Sequence, residues 1–290
     1  MELSICLNYI TEHSDAGRPL DVFSAASACR AAGFEYFDYS PDFLSDDWEA
    51  RARRDKEIFD ELGVSVEQTH APFNRYGQFD EKMFPTYYKR LFEASKILGA
   101  KYVVVHSDEY RTKDRYDADE ILDYECRRLA PYVEFAKENG MTVAVENVFE
   151  DKIARSPQID GKSRFTARID ELLAVIERFS SPAVRCCWDF GHAKCAFGKD
   201  GMADALRKVG KYVVCTHVHD NYYDRDLHLV PYQGDADWKE NMTCLKNVGY
   251  SGKLSFEFAY GNIPRDLLSA WLEYVFKTGK YLAGIFDGNR

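Results

Sequence analysis

Three carboxylates and one imidazole each follow an apolar segment in the second half of the chain. Glu146 follows MTVAV, Asp189 follows RCCW, His217 follows YVVCT and Glu257 follows KLSF. If these segments are neighbouring strands, the carboxylates converge and repel one another strongly unless a cation lies between them. Carboxylates with one imidazole suit Mn2+, Mg2+, Co2+ or Zn2+. The pattern therefore predicts a divalent metal site without choosing among these ions.

A second set of polar side chains occupies similar positions in the chain. Its members are His70, His106, His192, Asp226 and His228. Any one of them alone is more often a hydrogen-bonded structural residue than a ligand. Together they are candidates either for substrate binding or for further metal positions beside the first.

The elements that must position these residues alternate regularly between strand and helix. Eight short β-branched or aromatic segments are separated by amphipathic segments of helical length. This alternation is typical of parallel βαβ units, and eight such units close into a (β/α)8 barrel. The chain has no G-x-G-x-x-G after the first segment, which disfavours a doubly wound dinucleotide-binding sheet. We therefore predict one α/β domain, a (β/α)8 TIM barrel over residues 1–290, with its active site at the carboxyl ends of the strands.

The order of the short motifs THAPF, ENV, DFGH, HVHDN and FEF resembles that of the xylose isomerase-like TIM barrel superfamily. That superfamily contains sugar isomerases and epimerases, inosose-type dehydratases and nucleases of the endonuclease IV type. In the isomerase branch, the resemblance implies that one metal is held by Glu146, Asp189, His217 and Glu257. It also implies that Glu146 and Glu257 are the catalytic acid and base. The substrate-binding residues expected from the resemblance are His70, His106, His192 and His228.

In the endonuclease IV branch the same four ligands hold one zinc of three. The resemblance then implies that the other two zincs are bound by residues of the second set: His70, His106, His192, Asp226 and His228. The chain departs from the ketose epimerases on strand five, where Glu150 lies at the wrong spacing from Glu146. It also has Tyr223 where those enzymes carry an arginine. His219, two positions after His217, is an alternative to it as the metal ligand.

The charge of the chain bears on the choice between these branches. With 38 basic and 48 acidic residues the net charge is −10, and the loops PDFLSDDWEA and NYYDRDLHLVPYQGDADW are acidic or neutral. A barrel opening lined by such loops repels DNA, so no nucleic acid partner is expected. Five aromatic residues are candidates for packing against the C–H groups of a sugar: Tyr222, Tyr223, Tyr232, Trp188 and Phe190.

We therefore predict a divalent-metal-dependent sugar isomerase or epimerase that acts on a ketose or related polyol through an enediolate. The alternatives are a multi-zinc phosphodiesterase, an inosose-type dehydratase and a sugar-binding barrel without catalysis.

The remaining features place the protein in a reducing compartment. The eight cysteines form no C-x-x-C pair, and neither a signal peptide nor a membrane-spanning run is visible. We expect a cytoplasmic protein with no membrane partner, in which most cysteines are small core residues. The apolar segment SAWLEYVFKTGKYLAGIF could cover the barrel or a second copy, so a homo-oligomer is plausible. His13 is expected at the surface.

Overall fold

Eight parallel strands form a barrel in the computed structural model. The structure describes residues 1–11, 14–15, 18–73, 80, 82–107, 115–150, 161–222, 224–260 and 263–290. The barrel strands, numbered β1 to β8, are Leu3–Cys6, Tyr36–Asp38, Ser65–His70, Tyr102–Val105, Thr142–Glu146, Val184–Asp189, Val213–His217 and Leu254–Phe256. Each pairs with the next along the chain, β8 pairs with β1, and a bridge between Val218 and Phe256 joins β7 to β8. The predicted (β/α)8 TIM barrel is confirmed.

Eight helices, numbered α1 to α8, follow the strands. They are Val22–Ala32, Trp48–Leu62, Phe84–Leu98, Ala118–Glu138, Ile169–Phe179, Phe190–Val209, Trp238–Asn247 and Leu268–Asp287. Gly33 and Gly99 end α1 and α3 in the left-handed region, at φ 116° and 78°, which a residue without a Cβ adopts at little cost. Short pieces accompany this frame: a turn of helix at Asn8–Thr11, an antiparallel pair of Ser14–Asp15 with Arg18–Pro19, and 3-10 turns at Gly210–Tyr212 and Arg265–Leu267.

The core has two layers. Small residues fill the barrel interior, with Val104, Ala144, Cys187 and Cys215 in one cluster, and larger side chains fill the layer between strands and helices. All eight cysteines are free thiols; Cys126 and Cys195 are half-buried and the others are buried. In the described part of the chain, no helix is both long and apolar enough to cross a membrane. His13 lies outside the described residues.

Oppositely charged side chains close the amino end of the barrel. Glu67 of β3 lies 3.3 Å from Lys101 Nζ and 3.1 Å from Lys253 Nζ, and both lysines directly precede strands. Lys253 also lies 3.4 Å from Glu2 and stacks over the ring of Tyr36, whose hydroxyl donates to Glu2. The charges at this end of the barrel are therefore matched by permanent cations.

Candidate metal centre and active site

The four predicted metal ligands lie together at the carboxyl end of the barrel. Nδ1 of His217 is 3.3 Å from Glu146 Oε1, 3.6 Å from Asp189 Oδ2 and 3.6 Å from Glu257 Oε2. Glu146 ends β5, Asp189 ends β6, His217 ends β7, and Glu257 directly follows β8. Because neighbouring parallel strands end at the same edge, four separate segments deliver their last side chain to one point. This cluster could hold a divalent cation.

Two histidines extend the cluster toward β3 and β4. His106 Nε2 lies 2.7 Å from Glu146 Oε2 and 3.0 Å from His70 Nε2, which is itself 3.5 Å from the same carboxylate oxygen. The two oxygens of Glu146 thus face different imidazoles: Oε1 faces His217 and Oε2 faces His70 and His106. A carboxylate in this position could bridge two cations.

The cluster also extends beyond β6 and β7. His192 Nδ1 lies 3.0 Å from Glu146 Oε1, and its Nε2 lies 3.6 Å from Asp226 Oδ2. The same Asp226 oxygen is 3.1 Å from His228 Nε2. The structure therefore brings together all nine residues that the sequence singled out as ligands or substrate contacts.

His219, the alternative to His217, also belongs to this cluster. The side chain of His219 is fully buried, its Nε2 is 3.1 Å from Asp189 Oδ2, and its ring stacks on His228 at 4.1 Å. A Cβ on Gly191 would collide with the His219 ring, so the glycine of the DFGH motif makes room for the second histidine of HVH. Among the described residues, Nδ1 of His219 and Oδ1 of Asp226 lack hydrogen-bond partners and lie 3.8 Å apart.

The donor set fits a cation on physical grounds. The carboxylates pair with imidazoles, which can give up their protons. Among the described residues, the buried atoms His219 Nδ1 and Asp226 Oδ1 face each other and have no hydrogen-bond partner. Leaving such groups buried without a partner is costly, and a shared cation removes that cost. Ligands that are already deprotonated or readily deprotonated suit divalent ions.

Protons neutralise much of this charge in the absence of a cation. Burial alone raises the pKa of Glu146, but the imidazoles of His106 and His217 outweigh it and hold that pKa well below its usual value. Burial lowers the pKa of His217, yet the surrounding negative groups, Glu257 and Glu146 among them, raise it well above its usual value. Burial also lowers the pKa of His228, but the hydrogen bond to Asp226 and the charges of Glu257 and Asp226 raise it to about 9.

His70 behaves in the opposite way. Burial, helped by the neighbouring His106, lowers the pKa of His70 to about 4. Its imidazole is therefore neutral at physiological pH and can offer a lone pair. A neutral imidazole beside a carboxylate is the form in which histidine binds metals.

A cavity of about 650 Å³ opens beside the metal cluster. His70 and Glu257 form its border with the cluster, whereas Glu146 does not line it. Four aromatic residues, Tyr9, Tyr39, Phe43 and Phe73, lie in its wall together with polar groups such as Asn8 and Asp42. Flat apolar faces beside hydrogen-bonding groups suit a sugar, whose two faces differ in the same way.

The aromatic residues expected from the sequence are mostly elsewhere. Trp188 and Phe190 are fully buried in the layer between strands and helices, so the expectation that they contact a sugar is wrong. Tyr222 and Tyr232 are 45% and 51% exposed and do not line this cavity. Tyr223 lies outside the described residues. In the described part of the chain, the aromatic residues that line the cavity lie in the segments after β1, β2 and β3, whereas Trp188 and Phe190 pack in the core.

Glu150 has a structural role. Its Oε2 accepts from the backbone and hydroxyl of Ser163, and its Oε1 pairs with Arg168 at 3.0 Å. The departure from the epimerase spacing therefore places this carboxylate outside the ligand cluster.

Asp38 is a residue that the sequence analysis missed. It ends β2, is 1% exposed, and its Oδ2 lies 3.1 Å from His217 Nε2. Gln68 of β3 donates its side-chain amide to the same oxygen at 2.9 Å. The available signal was a charged residue at the end of an apolar strand, in FEYFDYS, the same signal that identified the other ligands.

Comparisons with known proteins agree with this architecture. The sequence model of the family described as xylose isomerase-like TIM barrels matches residues 25–275. An uncharacterized protein of Methanocaldococcus jannaschii, MJ1311, is 26% identical over 229 residues, which cover 76% of this chain and 74% of that protein.

Two solved structures superimpose over nearly the whole barrel. A D-tagatose 3-epimerase-like protein has a TM-score of 0.73 at 20% identity, covering 100% of this chain and 99% of its own. The IOLI protein, solved with a bound zinc atom, has a TM-score of 0.68 at 17% identity, covering 99% of both chains. These likenesses concern the fold.

Proposed function

The chain belongs to the xylose isomerase-like TIM barrel family, and from this premise we propose that it is a divalent-metal-dependent isomerase or epimerase of a ketose or related polyol. One observation carries the proposal: three carboxylates surround Nδ1 of His217 within 3.6 Å, and one of them, Glu257, borders the cavity. The D-tagatose 3-epimerase-like protein among the structural relatives supports a sugar as the substrate.

The proposed metal ligands are Glu146, Asp189, His217 and Glu257. A divalent cation bound by them would supply Lewis-acid stabilisation of the negative charge that develops on substrate oxygens. Mn2+, Mg2+, Co2+ and Zn2+ all suit the donor set, and the zinc in the IOLI protein favours a cation of this class. The neutral His70 at the border of the cavity is proposed to contact a substrate hydroxyl.

Glu257 and Glu146 are the proposed proton-transfer groups. Glu257 removes the proton from the carbon next to the substrate carbonyl, and the electron pair left behind moves to the carbonyl oxygen to give an enediolate. Return of a proton to the opposite face epimerises that carbon, and return to the neighbouring carbon interconverts aldose and ketose. Glu146 is fully buried behind His106, so its part in proton transfer runs through that imidazole.

The test is exchange of the substrate α-proton with solvent. We would incubate the Mn2+-loaded protein with D-tagatose, D-psicose or D-fructose in D2O and follow the carbon-bound proton by NMR. Glu257→Gln, which keeps an oxygen ligand, is expected to abolish exchange while metal content stays intact. Glu150→Gln is the matched control, because that carboxylate lies outside the cluster and is expected to leave exchange unchanged. Retained exchange in the Glu257→Gln variant would show that Glu257 is not the group that removes the α-proton.

The same experiment separates a dehydratase from an isomerase. A dehydratase acting on an inosose-like ring begins with the same proton removal but then expels a hydroxyl group. Its product lacks one water and contains a new carbon–carbon double bond, which NMR and mass spectrometry detect. Formation of that product from a cyclic polyol ketone would replace the isomerase proposal.

A second candidate, a phosphodiester hydrolase with several metals, is favoured by one specific observation. His70 and His106 lie beside Glu146, and Asp226 and His228 lie beside His192, so the additional metal ligands proposed from the sequence are close together. His219 adds a further imidazole next to Asp226. Against this candidate, the net charge of −10 disfavours a polyanionic substrate.

Metal analysis of the purified protein decides between the two candidates. One ion per chain after exhaustive dialysis favours the isomerase, whereas three zinc ions per chain favour the hydrolase. Hydrolysis of bis(4-nitrophenyl) phosphate by the three-zinc form would complete the case for the second candidate.

A further inference from the structure

His217 has two ring nitrogens, and each faces a different environment. Nδ1 faces the three carboxylates of the proposed metal centre. Nε2 faces Asp38, a carboxylate on the opposite side of the barrel interior and 179 residues away in the chain. Since a neutral imidazole carries one proton, the group facing each nitrogen determines which one keeps its lone pair.

We propose that Asp38 is a positioning residue that makes Nδ1 the metal-binding atom of His217. The carboxylate of Asp38 accepts the Nε2–H of His217 at 3.1 Å and thereby leaves the lone pair on Nδ1. A carboxylate that accepts the second N–H of a metal-binding histidine fixes both the tautomer and the ring orientation, and it increases the electron density at the ligating nitrogen. This inference rests on the metal centre of the proposed function.

Asp38 is itself held in place for this role. Gln68 donates to the oxygen of Asp38 that accepts from His217, so Asp38 at the end of β2 and Gln68 within β3 support the proposed ligand on β7. Asp38, Gln68 and His217 are at most 1% exposed, so these hydrogen bonds are largely shielded from solvent even though Asp38 lies in the cavity wall. Burying a carboxylate is costly unless it serves a hydrogen-bonding partner, and His217 is such a partner.

Direct measurements of metal binding test the proposal. Asp38→Asn is expected to weaken Co2+ binding about 10- to 100-fold in competition with a chelator. Gln68→Leu keeps the Asp38 carboxylate and should weaken Co2+ binding less than Asp38→Asn does. If the Asp38→Asn variant does not fold, Gln68→Leu serves as the test instead. Asp55→Asn is the matched control. Asp55 is also a buried carboxylate, but it accepts a hydrogen bond from Tyr39 and does not contact His217. Its Co2+ affinity should stay within twofold of that of the natural protein.

A spectroscopic readout separates positioning from a merely structural role. In Zn2+-loaded protein with 15N-labelled histidine, His217 is expected to show a proton on Nε2 and a metal-shifted Nδ1. A proton on Nδ1, or unchanged Co2+ affinity in a folded Asp38→Asn variant, overturns the proposal. These readouts need no turnover. If no ketose or polyol reacts, the proposed function fails while the position of the proton on His217 still tests the role of Asp38.

Discussion

The two ends of the barrel both bury clusters of charge, and they differ in the cations that neutralise them. At the amino end, Glu67 contacts the ammonium groups of Lys101 and Lys253. At the carboxyl end, Glu146 and Asp189 contact imidazoles, which exchange protons readily. Where lysines neutralise the carboxylate, no further cation is needed. Where imidazoles do so, they can lose their protons and bind a metal ion instead. We therefore expect the amino end to contribute to stability and the carboxyl end to the proposed chemistry.

The largest expected effect comes from breaking the carboxyl-end cluster. Asp189→Asn removes a carboxylate charge but keeps the side-chain oxygen that accepts from the His192 backbone at the start of α6. We expect metal content at this site to be lost and α-proton exchange to fall on the order of 1,000-fold, because charge stabilisation at the reacting oxygens disappears. Glu67→Gln at the other end should leave metal content unchanged. An Asp189→Asn variant with normal metal content would contradict the assignment.

The second effect is a pH dependence confined to the carboxyl end. The pKa of His228 is raised from 6.5 to about 9, so in metal-free protein its stabilising contribution is fully present below pH 6.5. This contribution is lost as the pH rises through about 9, and it amounts to about 3 kcal/mol at most. Scanning calorimetry of chelated protein should therefore show a Tm that falls between pH 6.5 and 9.

Metal loading is expected to reverse this trend. A metal ion must displace the protons on the imidazoles, so its affinity rises with pH over the same range. His228→Gln should flatten the fall in the metal-free protein, and a metal-free Tm independent of pH would contradict the assigned environment of His228.

A third effect, on stability alone, is expected at the amino end. Lys253→Met removes one of the two ammonium groups that neutralise the buried Glu67 and should lower the free energy of unfolding by about 2 kcal/mol in urea titrations. Metal stoichiometry is expected to stay the same. Adding Glu67→Met should restore much of the loss, because no uncompensated charge then remains. A change in metal content would show that the two ends are coupled.

The smallest effect is expected for Tyr36→Phe. This variant loses the hydroxyl that donates to Glu2 at 2.8 Å, but Glu2 is largely exposed and water replaces the bond. The free energy of unfolding should fall by less than about 0.5 kcal/mol. Urea titration checks this value, and a loss above 1 kcal/mol would mean that Tyr36 is part of the buried cluster.

Sequence reasoning predicted which polar residues lie at the strand ends, because strands end where their apolar pattern ends. His70, Glu146, Asp189 and His217 each close a strand of the barrel, and Glu257 directly follows one. It failed for aromatic residues: Trp188 and Phe190 adjoin a predicted ligand in the sequence but point into the outer core layer. Trp188 precedes Asp189 on β6, where successive residues point to opposite faces, and Phe190 begins α6, so adjacency in sequence did not imply adjacency at the cavity.

The amino-acid sequence by itself determined the alternation of strands and helices, the barrel and the residues at its carboxyl edge, because these depend on local periodicity. Only the tertiary structure decided how those residues face one another. It placed Asp38 against Nε2 of His217 from the far side of the barrel, directed Nδ1 to the carboxylates, and left His219 between Asp189 and Asp226. These choices depend on distances between segments far apart in the chain, and barrel closure sets those distances.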